Sequence, residues 1–318
     1  MKIIRGLNNL GRRFKNTVIT LGNFDGVHIG HRRIFERVRL AALGAGGVSV
    51  VVTFDPHPVR VVSPEREFKL LTPLQIKAEL IASTGMDVLV CIDFDTGFSS
   101  IKAEDFIRDV LAEKLSAAHV IVGHNYRFGK GKKGTTEFLR RRSKRYDYGF
   151  SVVRNVKRGG SAVSSSRIRA LLARGDVREA YALLGRPYFV EGAVVTGAGR
   201  GKKLLGVATA NLSSPEEIIP AAGVYAVRAR LGKKTLLDGV CNIGRCPTFE
   251  TASGENRLTC EVHLFDFDRM IVGETLRVYF VEKLRQERKF PGAAELGRQI
   301  AADTAAALTV LSKIRHVG

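Results

Sequence analysis

Acidic residues are scarce in this 318-residue sequence: 31 Asp and Glu stand against 51 Lys and Arg, a formal net charge of +20. Cysteine is scarcer still. The four at positions 91, 241, 246 and 260 form no C-x-x-C pair and no metal-finger spacing, so they read as reduced side chains rather than disulfides or zinc ligands. Any metal is therefore expected to arrive with a phosphate-bearing ligand. No run approaches the roughly 18 apolar residues needed to span a bilayer, and Met1–Thr20 lacks the apolar stretch of a signal peptide. The expected compartment is the cytoplasm, with no membrane partner. Internal repeats and low-complexity tracts are absent, and 45% hydrophobic with 26% charged residues is a globular composition rather than a disordered one.

A chain of this length suits two domains. Its charge is unevenly shared: residues 1–186 carry a net +16 and residues 187–318 a net +4. Within the first part, Arg127 to Arg158 holds 12 basic residues against Glu137 and Asp147. Such a run is either positive potential for phosphates or a solvated helix face. The first half alternates β-branched runs (Thr17–Gly22, Val48–Phe54, Asp87–Ile92, Val120–Gly123) with helical spacing at His31–Leu43, Pro73–Ser83 behind an N-capping Thr72, and Ala103–Leu115. That order predicts a doubly wound parallel sheet with ligands at the carboxyl ends of its strands. Short helices at about Ser166–Ala173 and Val177–Leu184 lead to a boundary at Gly185-Arg186-Pro187. Beyond it lie strand runs without helices between them: Tyr188–Val195, Gly223–Ala229, Lys234–Asn242, Leu258–Leu264 and Thr275–Val281, then a helix over Ala293–Ile314. They predict an antiparallel sheet or small barrel closed by a helix.

The first chemical constellation is Leu21-Gly22-Asn23-Phe24-Asp25-Gly26-Val27-His28-Ile29-Gly30-His31, at the first strand-to-helix junction. Backbone N–H groups and the helix dipole favour phosphate there, and glycines allow close backbone approach. His28 and His31 can donate hydrogen bonds to a phosphate gaining charge in an in-line displacement. The segment resembles the H-x-G-H signature of the adenylyltransferase superfamily, in the version found in bacterial bifunctional riboflavin kinase/FAD synthetases. Three more segments fit that resemblance. Thr53-Phe54-Asp55-Pro56-His57-Pro58 follows the second strand; Gly123-His124-Asn125-Tyr126-Arg127-Phe128-Gly129 is similar to G-x-D-F-R-F-G, with Asn125 for Asp and Tyr126 for Phe; Ser164-Ser165-Ser166-Arg167-Ile168-Arg169 is similar to S-S-T-x-I-R. The resemblance implies ATP contacts at Gly22, Asn23, Phe24, Asp25, Gly30, Ser164, Ser165 and Arg169. It implies flavin contacts at Pro56, His57, Pro58 and Asn125.

The second constellation is Gly197 to Leu212, a glycine- and lysine-rich loop ending in Gly206-Val207-Ala208-Thr209-Ala210-Asn211. It resembles the G-F-P-T-A-N motif of riboflavin kinases, with Ala208 for proline. The resemblance implies ATP binding at Gly206, Thr209 and Asn211, with Thr209 and Asn211 also holding magnesium through neutral oxygens. Asn242-Ile243-Gly244-Arg245-Cys246-Pro247-Thr248-Phe249 is similar to N-I-G-x-R-P-T-F, with Cys246 for arginine. Glu261 matches the family's general base for the riboflavin 5′-hydroxyl, and Arg285, followed by Phe290, matches its flavin-side segment.

The reading is thus a Rossmann-like α/β nucleotidyltransferase domain, 1–186, followed by an antiparallel β-barrel kinase domain with a closing helix, 187–318. By resemblance it is a bifunctional transferase that makes FMN from riboflavin and FAD from FMN, using ATP and Mg2+ in both steps. Two other classes compete. His28-Ile29-Gly30-His31 spells the aminoacyl-tRNA ligase tetrapeptide, but no K-M-S-K-S-like segment follows. A nucleic-acid binder would exploit the basic Arg127–Arg158 stretch and show steeply salt-dependent binding without ATP or flavin. Small-molecule substrates are the expected partners and nucleic acid is not; the sequence does not address the oligomeric state.

Overall fold

A computed structural model describes residues 1–11, 14–196, 209–213, 216–232, 235–245, 258–288 and 290–314. By packing, the chain divides into two compact units, Met1–Ser165 and Ser166–Gly318.

The first unit is a six-stranded parallel sheet built from β1 (Lys2–Arg5), β2 (Thr17–Leu21), β3 (Ser49–Asp55), β4 (Val88–Asp93), β5 (Ala117–Gly123) and β8 (Gly149–Val153), in the order β1-β4-β3-β2-β5-β8. Val, Ile and Leu dominate these strands because both faces are covered, and every residue of β2 is buried. Val51 and Leu89 point to one side, where they meet Phe35 and Val38 of helix α1 (Ile29–Gly44) and Ala78 and Ile81 of helix α3 (Leu74–Ala82); α2 (Pro58–Val62) is a short turn of helix between them. Val50, Val52 and Val90 point to the other side, against Ile107, Val110 and Leu111 of a π-wound segment, Phe106–Lys114. The chain runs β2, β3, β4 in one direction from the centre and continues through β5 and β8 in the other. The sheet therefore has its topological switch point between β2 and β5, where crevices open outside the carboxyl ends of the strands. The unit also holds two small hairpin pairs, β6 (Arg127–Phe128) with β7 (Gly134–Thr135) and β9 (Lys157–Arg158) with β10 (Ser161–Ala162), and helix α4 (Thr136–Ser143).

In the second unit, helices α5 (Ser165–Arg174) and α6 (Val177–Leu184) precede a closed antiparallel barrel. Its strands are β11 (Tyr188–Val195), β12 (Ala210–Leu212), β13 (Gly223–Leu231), β14 (Thr235–Arg245), β15 (Leu258–Leu264) and β16 (Thr275–Arg285), in the order β11-β12-β15-β14-β13-β16. Alternating side chains such as Cys260, Val262 and Leu264 fill it, and α7 (Ala293–Ser312) lies on β13, β14 and β16. Among the described residues, each barrel strand is paired on both sides.

The expected α/β module and barrel are both present. Three local expectations need correcting. Thr72 does not cap α3; its hydroxyl instead accepts from Gly26 N at 3.0 Å, and the N-cap position is Pro73 with no side-chain cap. Ala103–Leu115 is wound as π-helix from Phe106 onward rather than as one α-helix. Among strands longer than two residues, β1, β8 and β12 have no counterpart in the sequence reading: β1 and β12 are only four and three residues long, and β8 is a half-exposed edge without strong alternation.

Candidate active sites

In the first unit, the Gly22–His28 loop connects β2 to α1 at the switch point. Gly22 is dictated by its neighbour, because an added Cβ would lie 2.9 Å from the ring of Phe24, which folds back over it. Phe24 and the β-branched Val27 both have left-handed backbone, with φ of 47° and 41°. Such strain persists only where the surroundings impose it. Here the buried Asp25 carboxylate accepts from Leu71 N and Thr72 N at 3.0–3.1 Å and Gly26 N donates to Thr72 Oγ1. Thr53 Oγ1 of β3 donates to Asn23 O, and Ser165 Oγ donates to Asp25 O at 2.8 Å. Of the residues expected to contact ATP, Phe24 and Asp25 are thus buried parts of the loop's scaffold, while Gly22, Asn23 and Gly30 shape its backbone.

This scaffold presents two imidazoles together. His28 caps α1, its Nδ1 accepting from His31 N at 3.3 Å, so in the neutral ring the proton sits on Nε2. The rings stack with centroids 3.5 Å apart, and Phe24 closes edge-on against His31 at 5.2 Å. Gly30 permits the stack: a Cβ there would meet the His28 ring at 3.1 Å. Burial, the adjacent His28 and then Lys77 hold the His31 pKa well below its ordinary value, so the ring is neutral near pH 7. Its Nδ1 is buried with no hydrogen-bond partner among the described residues, an unsatisfied polar atom of the kind that a ligand or water completes.

The expected flavin-side residues of the first unit lie at the same ends of the strands. Pro56, His57 and Pro58 follow β3; His57 accepts from Val59 N and stacks on Phe68 at 4.5 Å. Asn125 is exposed just beyond β5, next to Tyr126, which packs parallel to Phe128. Ser164 and Ser165 are the last two residues of the first unit, and Arg169 lies on α5 in the second. The basic stretch is partly consumed by ion pairs, Arg142 and Arg145 with Glu104, and Arg140 and Arg141 with Glu137.

In the barrel, cross-strand register brings the other candidates together. Asn211 of β12 is opposite Glu261 of β15, and Glu261 is opposite Asn242 of β14. Their sequence neighbours Ala210, Leu212, Cys260, Val262, Cys241 and Ile243 are buried in the barrel, so the three polar side chains share the opposite, partly exposed face. Thr209, two residues before Asn211, is exposed. The row continues through Val224 of β13 to Arg285 of β16. Arg285, however, is occupied: its guanidinium makes a two-pronged pair with Asp303 of α7 at 2.8–2.9 Å, donates to Gln286 O, and lies over Phe290. Gly206, Ala208, Cys246 and Pro247 to Phe249 lie outside the described residues. Among the described residues no cluster of three or more His, Cys, Asp or Glu could cage a metal. Neutral oxygens beside one carboxylate, at Thr209, Asn211, Asn242 and Glu261, suit a hard cation that keeps phosphate and water as its other ligands.

One residue of the row was not singled out from the sequence. Asn242 was visible in its motif, but only strand register puts it beside Glu261.

Comparison with known proteins matches residues 11–167 to the FAD synthetase family and residues 184–311 to the riboflavin kinase family. A bifunctional riboflavin kinase/FMN adenylyltransferase of Bacillus subtilis is 37% identical over 303 residues, 94% of each chain. The Escherichia coli K12 protein of the same description is 34% identical, over 95% of this chain and 96% of its own. A solved structure described as a macrolide-efflux protein from Streptococcus pneumoniae superposes with a TM-score of 0.86 at 30% identity, covering 96% of this chain and 99% of that one. Among the described residues here, no helix is long and apolar enough to cross a membrane.

Proposed function

This chain belongs to the bacterial bifunctional riboflavin kinase/FMN adenylyltransferase family, making FMN from riboflavin and FAD from FMN with ATP and magnesium, and from that premise we propose which residues carry each reaction. The adenylyltransferase is assigned to His28 and His31, supported by their stacking, with His28 buried and His31 half-buried, at the switch point of the parallel sheet. An FMN phosphate oxygen attacks the α-phosphorus of ATP, the bond to the bridging oxygen breaks, and pyrophosphate leaves. Charge grows on the non-bridging oxygens, where His28 Nε2–H and the neutral His31 donate without a covalent intermediate. Gly22, Asn23 and Gly30 bring backbone close to ATP; Phe24 and Asp25 act indirectly by holding the loop. Ser164, Ser165 and Arg169 serve the leaving pyrophosphate, while Pro56, His57, Pro58 and Asn125 line the flavin side. Because that phosphate motif runs past Ser165, the functional module is taken as 1–186, although packing divides the chain earlier.

The kinase is assigned to 187–318, with Glu261 as general base, supported by its place between Asn211 and Asn242 in the transverse row. Glu261 takes the proton of the riboflavin 5′-hydroxyl, the oxygen attacks the γ-phosphorus, and ADP leaves. Magnesium bound with ATP neutralises triphosphate charge, and Thr209 and Asn211 are the residues that would hold it, with Gly206 on the nucleotide. Arg285, held by its pair with Asp303, is taken as a flavin contact. The enzyme is placed in the cytoplasm, with small-molecule substrates and no nucleic-acid partner.

Separate assays begun from riboflavin and from FMN test the assignment. His28→Ala with His31→Ala should lose FAD formation by roughly 10²-fold or more and keep riboflavin phosphorylation; Glu261→Gln should do the reverse. A folded variant with both rates unchanged refutes the corresponding assignment.

A further inference from the structure

The basic stretch holds two kinds of cation. Arg140, Arg141, Arg142 and Arg145 are balanced by Glu137 or Glu104. Arg127, Lys130, Lys132, Lys133, Arg154 and Lys157 are exposed and make no ion pair among the described residues. Topology gathers the second kind in one place. Arg127 to Lys133 follow β5 and Arg154 to Lys157 follow β8, so both groups leave the carboxyl ends of strands that pair in parallel, with Gly123 opposite Val153. The two exits are tied together: His124 N donates to Val153 O at 3.1 Å, and His124 Nε2 lies 3.4 Å from Asn155 Nδ2. The lysine hairpin is also fixed, since Lys130 N donates to Ile101 O at 2.7 Å and a Cβ on Gly129 would come within 2.8 Å of the Ala103 backbone.

His28 and His31 follow β2, the other neighbour of β5. Paired strands lie about 4.8 Å apart, which puts the ends of β5 and β8 about 5 and 10 Å from that of β2, within about one Debye length at 0.1 M salt. On the opposite side of β2, strands β3 and β4 end in the exposed register partners Asp55 and Asp93. Charge at the switch point is therefore polarised, positive beyond β5 and β8 and negative beyond β3 and β4.

We propose that the unpaired cations beyond β5 and β8 form a collecting face for small polyanions, which draws ATP and FMN to the adenylyltransfer site and leads their phosphates in from that side. The inference rests on the placement of that reaction at His28 and His31. Both substrates of the reaction are anionic, whereas riboflavin, the flavin taken by the kinase, is neutral. Exposed cations without a partner keep their field for an incoming charge, and steering of this kind raises association rates roughly tenfold to a thousandfold and fades as salt is added. Contact in the bound complex is not required, so the effect belongs to kcat/KM rather than to kcat.

The test follows FAD formation from FMN and FMN formation from riboflavin in the full-length protein, at saturating ATP and magnesium, as ionic strength is raised from about 10 mM to about 500 mM. In the wild type, kcat/KM for FMN should fall on the order of tenfold across that range, while kcat/KM for riboflavin hardly changes. The combined variant Lys130→Gln, Lys132→Gln, Lys133→Gln and Lys157→Gln should start on the order of tenfold below the wild type in kcat/KM for FMN, meet it at the highest salt, and keep kcat and riboflavin phosphorylation unchanged. Arg140→Gln with Arg141→Gln, which removes cations already paired with Glu137, should stay close to the wild type. A wild-type kcat/KM for FMN that is insensitive to salt overturns the proposal. So does an equal loss per charge in the Arg140 and Arg141 variant, because net charge rather than placement would then be responsible, and so does a fall in kcat in the lysine variant, which would make these residues part of the reaction itself. Wild-type kinetics in the lysine variant overturn it as well; if that variant has also lost salt-dependent binding of a random-sequence single-stranded RNA, the face serves nucleic acid instead. If the double histidine variant keeps FAD formation, the underlying assignment fails, so the two failures are distinguishable.

Discussion

Glu217 gives the most quantitative prediction. It is 3% exposed in the barrel unit, and its Oε1 accepts from Glu191 N at 3.2 Å. The neighbouring Glu191 carboxylate is paired with Arg277 at 2.6 Å. Burial pushes the Glu217 pKa up from 4.5 to about 7; hydrogen bonds from its own and the Glu191 backbone counter this, and Glu191 and Glu216 add to it. An acid whose folded pKa is raised binds its proton more tightly in the native state. Below the unfolded value both states are protonated and nothing is lost; stability then falls as pH rises from about 4.5 through about 7, and the full penalty applies above. At about 1.4 kcal/mol per pKa unit, this shift amounts to about 3 kcal/mol. Glu217→Gln keeps the acceptor oxygen and removes the charge. It should therefore stabilise the barrel by about 3 kcal/mol at pH 8 and by little at pH 4.5. Urea unfolding at the two pH values, read through riboflavin kinase activity so that the barrel is followed separately from the other unit, measures the difference. A gain that is the same at both pH values, or a loss at pH 8, would show that the Glu217 charge is not the cause.

Three further outcomes follow from particular contacts. Tyr126 has a buried hydroxyl with no partner among the described residues, so Tyr126→Phe should raise the stability of the first unit by about 1 kcal/mol, visible as a higher Tm; a lower Tm would mean the hydroxyl is satisfied. Asp303→Ala strips Arg285 of its two-pronged partner and should cost about 2–3 kcal/mol in urea unfolding of the barrel unit, since the Asp303 side chain is 8% exposed and that of Arg285 is 22% exposed. Excess EDTA should stop both reactions, because the described residues hold no cluster able to cage a metal apart from the nucleotide's; full turnover in chelator would contradict this.

Legibility in the sequence followed the range of the interactions. Tyr188–Val195, Val177–Leu184 and Leu258–Leu264 were read with the bounds observed, because local periodicity and turn residues suffice to specify an element of that kind. Thr72 was misread for the same reason in reverse: its local position resembles a cap, yet its hydroxyl is claimed by Gly26, 46 residues earlier. Arg285 was legible as a motif residue, but its commitment to Asp303 depends on where α7 lies against β16.

By itself the sequence determined the family, the two modules and the chemistry-bearing segments, because glycines, histidines and hydroxyls at set spacings are properties of short stretches of chain. Tertiary structure decided what those stretches do for one another. It turned Phe24 and Asp25 into supports for a strained loop, and brought Asn211, Glu261 and Asn242 from three strands into one row. The physical reason is that strand register, burial and Coulombic proximity depend on distances through space, and residues far apart in sequence acquire those distances only when the sheet and barrel close.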